Sequence, residues 1–301
     1  MKIISYEKEG RWASGFLCSE TVVDAVETAT AAGWSAEDVR QAATGRGLLE
    51  LGPSRVRELH ECAAGHRTGL GSADTGLPLE QVRLGPPVAN PRKIVCTGLN
   101  YVDHAKEVGA PIPETPVFFP KYDNSLAGPV DPIVPPRDTN EVDYEGELAV
   151  VIGERGRYIE EADALSHLAG AMVFNDVSAR DLQLATPTWT GGKAVDTFGP
   201  CGPCLVTLDE IDDIQSLYVR TWVDGRLVQD GHTSQMIFSV AYLVSFLSRI
   251  MTLEPGDIII TGTPAGVGKS FSPPLYLQEG NVVEVEIEGL GRLKNPVAPA
   301  V

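Results

Sequence analysis

Three acidic residues alternate with other residues along the segment VDYEGELAVVIG, which spans residues 142–153. In a β-strand, successive side chains point to opposite faces, so Asp143, Glu145 and Glu147 would all lie on one face. The segment continues into the apolar run 148–152, whose composition is typical of a buried strand. Because like charges on one face repel each other, we expect the charge of these acids to be compensated in some way.

A further acid, Asp176, lies in AMVFNDVSARD, another strand-like run that contains apolar residues. Buried carboxylates that face one another either take up protons or bind a cation, because an unpaired buried charge is costly. A ligand set made only of oxygens suits a hard divalent ion, so Glu145, Glu147 and Asp176 are candidate Mg²⁺ or Mn²⁺ ligands. The alternative is a solvated strand face that carries ordinary surface charges.

A histidine and a glutamate lie three positions apart in TGLNYVDHAKEVG, residues 97–109. If this segment is helical, His104 and Glu107 are neighbours on one helix face. A carboxylate beside an imidazole holds it in one tautomer and raises its basicity, which makes the pair a candidate general base for activating water. The alternative is an exposed ion pair of little energetic consequence.

Other polar residues follow these acids in the sequence. Arg180 and Gln183 come soon after Asp176, so they would lie near any molecule that a metal at Asp176 holds. Lys193 follows two glycines in TWTGGKAVDTFGP. Each of these three residues is also compatible with an ordinary surface position.

The segment TGTPAGVGKS, residues 261–270, is similar to a phosphate-binding loop at first sight. Such a loop needs four residues between its first glycine and the Gly-Lys-Ser, whereas five lie between Gly262 and Gly268. The spacing therefore excludes a nucleotide site. What remains is either a glycine-rich loop whose amides and Thr263 hydroxyl bind an anionic oxygen, or a simple turn.

The composition narrows the range of partners. The chain has 301 residues, of which 43% are hydrophobic, and its formal net charge is -17. Since there is no basic cluster, most of the surface would repel a nucleic acid or an anionic membrane, so we expect small molecules or other protein chains as partners. No apolar run reaches the ~18 residues of a membrane span and the start lacks signal-peptide features, so we expect a cytoplasmic protein.

The chain has five cysteines, a sparse and odd set that indicates reduced thiols rather than a disulfide framework. Cys201 and Cys204 form a Cys-x-x-Cys motif, but no second cysteine pair or histidine cluster accompanies it. We therefore interpret the motif as a turn and not as a zinc or redox site.

The Pro- and Gly-rich stretch LGPPVANPRK, residues 84–93, predicts a domain boundary. Residues 1–88 would form a small α/β N-terminal domain, and residues 89–301 a larger domain with many short β-rich runs. Strands and helices do not alternate regularly there, which favours an α+β, mostly β fold over a Rossmann fold or a parallel barrel. Four helices are predicted, at 35–44 with Gly45 as its stop, 54–64, 162–169 and 238–251.

Eight short segments of the sequence together carry a resemblance to a known family. In order, they are GLNYVDHAKE, PVFFPK, SLAGP, VDYEGELAVVIG, FNDVSARDLQ, GKAVDTFGPCGP, DGRLVQDGHT and MTLEPGDIIITGTPAGVG. Together they closely resemble the fumarylacetoacetate hydrolase family, collinearly from about residue 91 to residue 296. The resemblance implies a catalytic domain of the family's mixed β-roll or sandwich type. The first 88 residues resemble, more weakly, the small variable domain that many members carry.

The resemblance also implies roles for the acidic residues. Glu145, Glu147 and Asp176 match the acids that bind Mg²⁺ or Mn²⁺ in the family. By the same comparison, Asp143 would be an acid outside the ligand set or on the surface, and not a fourth ligand. The expected compensating charge is then a divalent cation.

The remaining site residues are implied in the same way. His104 and Glu107 match the pair that activates water, on a short segment that often orders as a lid over the substrate. Lys193 matches a lysine beside the metal. The residues that match those holding the carboxylate and keto oxygens of the substrate are Arg180, Gln183 and Thr263.

The activity implied by the resemblance is hydrolysis of a carbon–carbon bond in a 2,4-dioxo acid such as an acylpyruvate, in aromatic or sugar-acid breakdown. Decarboxylation of oxaloacetate and isomerisation of a 2-hydroxyhepta-2,4-diene-1,7-dioate-type compound stay open, because all three reactions share an enolate. A non-catalytic metal-dependent binding protein is a third alternative. The resemblance further implies a homodimer that takes a small oxo acid as its substrate.

The sequence departs from the family around the lysine. Gly191 and Gly192 precede Lys193, and Ala194 and Val195 stand where many members have Ser-Phe. These positions are expected to lie beside the substrate. The departure therefore predicts a change in pocket size and specificity, but not in the metal site.

Overall fold

The computed structural model describes residues 1–66 and 76–301, and short strands dominate these residues. The strands are β1 (Lys2–Lys8), β2 (Arg11–Cys18), β3 (Thr21–Asp24), β4 (Leu77–Pro78), β5 (Leu84–Gly85), β6 (Ile94–Gly98), β7 (Val117–Lys121), β8 (Leu126–Ala127), β9 (Val142–Asp143), β10 (Gly146–Ile152), β11 (Leu168–Asn175), β12 (Ser178–Ala179), β13 (Gly199–Thr207), β14 (Tyr218–Val223), β15 (Arg226–His232), β16 (Ile258–Ile260), β17 (Val282–Ile287) and β18 (Gly291–Pro296). The α-helices are α1 (Ala25–Ala31), α2 (Ala36–Gln41), α3 (Gly45–Glu50), α4 (Pro53–His66), α5 (Val102–Glu107), α6 (Arg180–Leu184), α7 (Thr190–Lys193) and α8 (Val240–Ile250).

Most strands belong to one large sheet. Its order is β4-β3-β2-β1-β13-β11-β10-β16-β6-β7, with β5 beside β1 and β8 beside β13. Within it, β16 pairs with β6 and β13 with β8 in parallel, and the other pairs are antiparallel. A second sheet has the order β15-β14-β17-β18, and β9 pairs with β12. This arrangement confirms the predicted α+β, mostly β fold.

Strand β10 lies in the middle of the large sheet, and all seven of its residues are buried. Because side chains alternate along a strand, β10 contributes to two cores. Leu148 and Val150 pack in the cluster that contains Val285 of the second sheet. Val151 packs in the cluster that contains Leu48 of helix α3. The large sheet is thus covered by strands on one face and by the N-terminal helices on the other.

The first 88 residues share the large sheet with the rest of the chain. Strand β1 pairs antiparallel with β13, with Lys2 opposite Val206 and Ile3 opposite Leu205. The boundary at residue 88 stays a prediction. The hydrogen-bonded sheet itself runs across it without a break.

The predicted helix 35–44 ends earlier than expected. Ser35 caps α2, and its hydroxyl accepts a hydrogen bond from the backbone in the first turn. Gly45, predicted as a stop, instead begins α3, so that prediction is wrong. The physical reason is a second cap, since the Thr44 hydroxyl accepts a hydrogen bond from the Gly47 amide at 3.1 Å.

Two of the other predicted helices are confirmed, by α4 and by α8, which Ser239 caps. The predicted helix 162–169 is wrong, because a 3₁₀ helix occupies Glu161–His167 and β11 begins at Leu168. Leu168 already pairs with Ile152 of β10, so the sheet competes for this segment. Helix α1, which follows strand β3 directly, was not predicted.

The Cys-x-x-Cys motif lies inside β13 and not in a turn, so that interpretation is wrong. A cis Gly202–Pro203 peptide bond separates the two cysteines, and both thiols are free and buried. Burial raises the pKa of the Cys204 thiol to about 11. Since the thiolate is the reactive form, burial disfavours reaction of this thiol. Among the described residues, no helix is both long enough and apolar enough to cross a bilayer.

Candidate metal and active site

The acidic residues lie at one end of the hairpin formed by β10 and β11. Gly146, the first residue of β10, is opposite Asn175, the last residue of β11. Glu145 and Asp176 flank these ends, and the Asp176 amide donates to the Glu145 carbonyl at 2.8 Å. With Glu147, each acid places one carboxylate oxygen within 4.8 Å of the others, and all three are buried. The structure therefore brings together the three predicted metal ligands.

Asp143 lies outside this cluster of three acids. The strand is interrupted at residues 144–145, between β9 and β10. The buried Asp143 carboxylate accepts hydrogen bonds from the amides of Gly268 at 2.7 Å and Lys269 at 3.0 Å. It also lies 2.7 Å from Arg180. Asp143 therefore anchors the glycine-rich loop and is not a surface acid.

Two buried cations neutralise part of the acidic cluster. Lys193 Nζ donates to Glu145 Oε2 at 2.7 Å and to Asp176 Oδ2 at 2.8 Å. Arg180 Nη1 donates to Glu145 Oε1 at 2.6 Å and to Gln183 Oε1 at 3.0 Å. Burial opposes ionisation of Glu145, but the charges of Lys193 and Arg180 outweigh it and hold the pKa of Glu145 below its usual value. The chain itself thus supplies part of the compensating charge.

Glu147 is the acid of the cluster that neither of these cations contacts. Glu147 is 1% exposed, and its carboxylate accepts a hydrogen bond from the Gly262 amide at 2.5 Å. Burial, together with the charges of Asp176 and Glu145, raises the pKa of Glu147 well above its usual value. A divalent cation among the three acids would supply the missing positive charge, with the oxygen donors that such ions prefer. The donor set therefore fits a divalent metal.

Lys121 is a site residue that the sequence patterns do not single out. It ends the edge strand β7, and its fully buried Nζ lies 2.5 Å from Asp176 Oδ1. The same Nζ donates to the Val177 carbonyl at 3.1 Å. The available signal was a lysine directly after the apolar run VFFP, because a buried lysine requires an acidic partner.

We expect Lys121→Met to destabilise the metal-free protein and to enlarge its response to metal. Removing one partner of a buried ion pair costs about 3–5 kcal/mol, because Asp176 is left undercompensated. A bound metal would replace part of the lost charge. Thermal unfolding in EDTA and in Mg²⁺ measures both effects, with Lys106→Met as a control at an exposed lysine. A melting temperature in EDTA equal to that of the wild type would contradict this assignment.

The predicted histidine–glutamate pair forms on helix α5. His104 Nδ1 lies 3.0 Å from Glu107 Oε2, and His104 is buried. The other Glu107 oxygen accepts a hydrogen bond from the Gly266 amide at 2.8 Å. Only glycine fits at position 266, because its φ is +106° and a Cβ on this residue would lie 2.0 Å from the Val228 carbonyl oxygen. With Nδ1 facing Glu107, Nε2 is the nitrogen that can exchange a proton with a substrate.

Glu145, Glu147 and the His104–Glu107 pair line one cavity. Its volume of about 380 Å³ is within the ~300–1,000 Å³ that is typical of small-molecule sites. Asp176 is fully buried and does not line it. The predicted site residues that do line it are His104, Glu107, Glu145, Glu147, Arg180, Gln183, Lys193 and Thr263. Its apolar wall consists of Leu99, Val108, Phe119, Leu184, Trp189 and Val267. The cavity thus combines an acidic floor, a histidine and an apolar wall.

Two residues predicted to bind substrate are already engaged within the protein. The Thr263 hydroxyl donates to the Gly146 carbonyl at 3.0 Å and accepts from Gln229 Nε2 at 2.8 Å. The Arg180 guanidinium is bound to Asp143 and to the acidic cluster. Their roles toward substrate oxygens stay predictions.

The residues that depart from the family pattern do not line the cavity, contrary to expectation, although Lys193 does. Val195 instead packs against the apolar core. A Cβ at Gly192 would lie 2.3 Å from the Ala179 carbonyl oxygen and 2.4 Å from the Gln183 amide nitrogen. Gly192 therefore allows helix α7 to approach α6 closely, which places Lys193 at the acids.

Comparison with known proteins agrees with the family resemblance of the sequence segments. The family model "Fumarylacetoacetate (FAA) hydrolase C-terminal" matches residues 93–298. The mitochondrial oxaloacetate tautomerase fahd2 of Xenopus laevis is 45% identical over 254 residues, which cover 84% of this chain and 77% of that protein.

Solved structures match the whole length of the chain. Fumarylacetoacetate hydrolase from Exiguobacterium antarcticum superposes with a TM-score of 0.79 at 38% identity, covering 99% of both chains. Maleylpyruvate hydrolase from Sphingobium sp. SYK-6, in complex with manganese(II) and pyruvate, superposes with a TM-score of 0.79 at 27% identity, covering 100% of both chains. With the acidic cluster and the matched family model, these likenesses show that this chain belongs to the fumarylacetoacetate hydrolase family.

Proposed function

We propose that this chain is a Mg²⁺- or Mn²⁺-dependent enzyme that catalyses keto–enol proton transfer on a 2-oxo acid, with oxaloacetate as the favoured substrate. The observation that carries the proposal is the His104–Glu107 pair lining the same cavity as Glu145 and Glu147. The similarity to oxaloacetate tautomerases over most of the chain favours this substrate. For this reason we favour oxaloacetate as the substrate, whereas the sequence resemblance alone favours an acylpyruvate.

The residues that would hold the metal are Glu145, Glu147 and Asp176. A bound divalent cation supplies a Lewis acid that polarises the 2-oxo group of the substrate. His104 Nε2 takes the proton from C3, while Glu107 holds Nδ1 and stabilises the imidazolium that forms. The imidazolium of His104 then returns its proton to the C2 oxygen, which completes the enol and restores the neutral histidine. The ammonium of Lys193, held at the acids, adds positive charge where negative charge develops.

A second candidate is hydrolysis of the carbon–carbon bond of an acylpyruvate. It is supported by the likeness to maleylpyruvate hydrolase over the whole chain. In this reaction His104 would take a proton from water, which attacks the distal carbonyl. The bond between that carbonyl carbon and C3 then breaks, and protonation at C3 yields pyruvate and a carboxylic acid. The same residues serve both reactions, so the distinction lies in the substrate.

NMR with Mg²⁺-loaded protein tests the proposal. Oxaloacetate and a small panel of acylpyruvates are offered to the wild type and to His104→Ala. Faster exchange between enol and keto oxaloacetate, lost in the variant, supports the tautomerase. Pyruvate plus a carboxylic acid from an acylpyruvate supports the hydrolase instead. Absence of both activities in the wild type would overturn the proposal.

We further propose that the chain forms a homodimer in the cytoplasm. Light scattering after size-exclusion chromatography checks the assembly, and a mass of one chain, 32.2 kDa, would refute the dimer.

A further inference from the structure

The glycine-rich loop carries one cation that the chemistry described above does not use. Lys269 lines the cavity, and its side chain is exposed. The other lysine and the arginine in the lining, Lys193 and Arg180, are each bound to buried acids. Within residues 1–66 and 76–301, the only hydrogen bond of Lys269 comes from its backbone amide. Its ammonium is therefore available to a ligand in the cavity.

The backbone of Lys269 is held in place relative to the three candidate metal ligands. The Lys269 amide donates to Asp143 Oδ2 at 3.0 Å, and Asp143 lies 2.7 Å from Arg180. Arg180 in turn donates to Glu145 at 2.6 Å. A chain of three charged or polar contacts thus ties the backbone of Lys269 to a predicted metal ligand. Because the Lys269 side chain is exposed, it can rotate toward the cavity that it lines.

The charge of the whole protein makes this cation significant. The formal net charge of -17 repels dianions in solution, so a dianionic substrate needs local positive charge at the site. The metal and Lys193 would supply it at the end of the substrate that carries the 2-oxo acid. Lys269 supplies it elsewhere in the same cavity.

We propose that Lys269 binds a second carboxylate of the substrate, and that this cavity selects 2-oxo dicarboxylates over 2-oxo monocarboxylates. The inference rests on the proposed function and deepens it, because it names the substrate class. A lysine ammonium forms charge-assisted hydrogen bonds to a carboxylate, which are stronger than neutral ones. An acyl chain that ends in a methyl group would leave the ammonium without a partner.

Two ligands of equal length test the inference. 2-Oxoglutarate and 2-oxopentanoate both have five carbons and differ in a terminal carboxylate against a methyl group. Neither carries the second ketone group, at C4, that carbon–carbon hydrolysis of an acylpyruvate requires. Calorimetry with Mg²⁺-loaded wild type should show about tenfold tighter binding of 2-oxoglutarate, the low end for a hydrogen bond to a charged group.

Variants of Lys269 test whether this side chain causes the preference for 2-oxoglutarate. Lys269→Met should weaken binding of 2-oxoglutarate about tenfold and change that of 2-oxopentanoate less than about twofold. Lys269→Arg, which keeps the charge, should retain the preference. Lys106→Met removes an exposed lysine that does not line the cavity, and it should behave as the wild type.

The inference is overturned if the wild type does not discriminate between the two ligands, or if Lys269→Met discriminates as well as the wild type. Failure of the proposed function has a different signature, since the Mg²⁺-loaded wild type would then turn over none of the oxo acids offered. Turnover without a preference for dicarboxylates would refute the role of Lys269 alone.

Discussion

Replacement of Glu147 by glutamine should abolish metal-dependent turnover while leaving the metal-free protein as stable as the wild type, or more stable. Glu147 is buried, and neither Lys193 nor Arg180 contacts it. Burial and the neighbouring acids outweigh the Gly262 hydrogen bond, so the charge of Glu147 is a net cost to the metal-free fold that a bound cation would offset. Glutamine has the same shape without that charge. We expect turnover to fall about 10³-fold or more, because a catalytic metal contributes several kcal/mol.

Glu145→Gln is the matched control. It also removes a predicted metal ligand, but it breaks the contacts of Glu145 with Lys193 and Arg180. Metal-free stability should therefore fall by about 3 kcal/mol or more, since two buried cations lose a partner. Thermal unfolding in EDTA separates the two variants. If both lose the same stability, the distinct role assigned to Glu147 is wrong.

The second large effect is expected at His104. His104→Ala should lower turnover about 10²- to 10⁴-fold, the usual contribution of a general acid–base group. Metal binding should persist, because His104 is not part of the acidic cluster. The readouts are the turnover rate and the rise in melting temperature on adding Mg²⁺.

Glu107→Gln refines this assignment. The glutamine can still accept the hydrogen bond that the Gly266 amide donates to Glu107 Oε1, so α5 should keep its position. It no longer stabilises a charged imidazole at Nδ1. We expect a loss of turnover smaller than that of His104→Ala, together with unchanged metal binding. Wild-type turnover in either variant would exclude the pair from proton transfer.

The acidic cluster was predictable because its members are close in sequence to strong local patterns. Glu145 and Glu147 precede an unbroken apolar run, and Asp176 comes two positions after another, so the sequence placed all three acids beside buried strands. The His104–Glu107 contact followed from helical spacing within a single short segment. In these cases the local chain geometry determines which side chains meet.

The features that were not predicted depend on contacts between distant segments. Lys121 meets Asp176 across 55 positions, and Asp143 meets Lys269 across 126. The interruption of the strand after Asp143 has no local signal, because Tyr144 and Glu145 are compatible with a continuing strand. Lys121 is placed by the sheet that carries β7, and Asp143 by its contacts with the glycine-rich loop, so neither position follows from its local sequence.

The pairing of β1 with β13 has a consequence for handling this protein. A fragment limited to the family-matched residues 93–298 would lose β1 and expose the backbone edge of β13. It would also lose the helices that cover one apolar face of the large sheet, where Leu48 and Leu59 pack. Unpaired strand edges beside uncovered apolar surface promote intermolecular association. Such a fragment should aggregate, even though it retains every residue of the metal site.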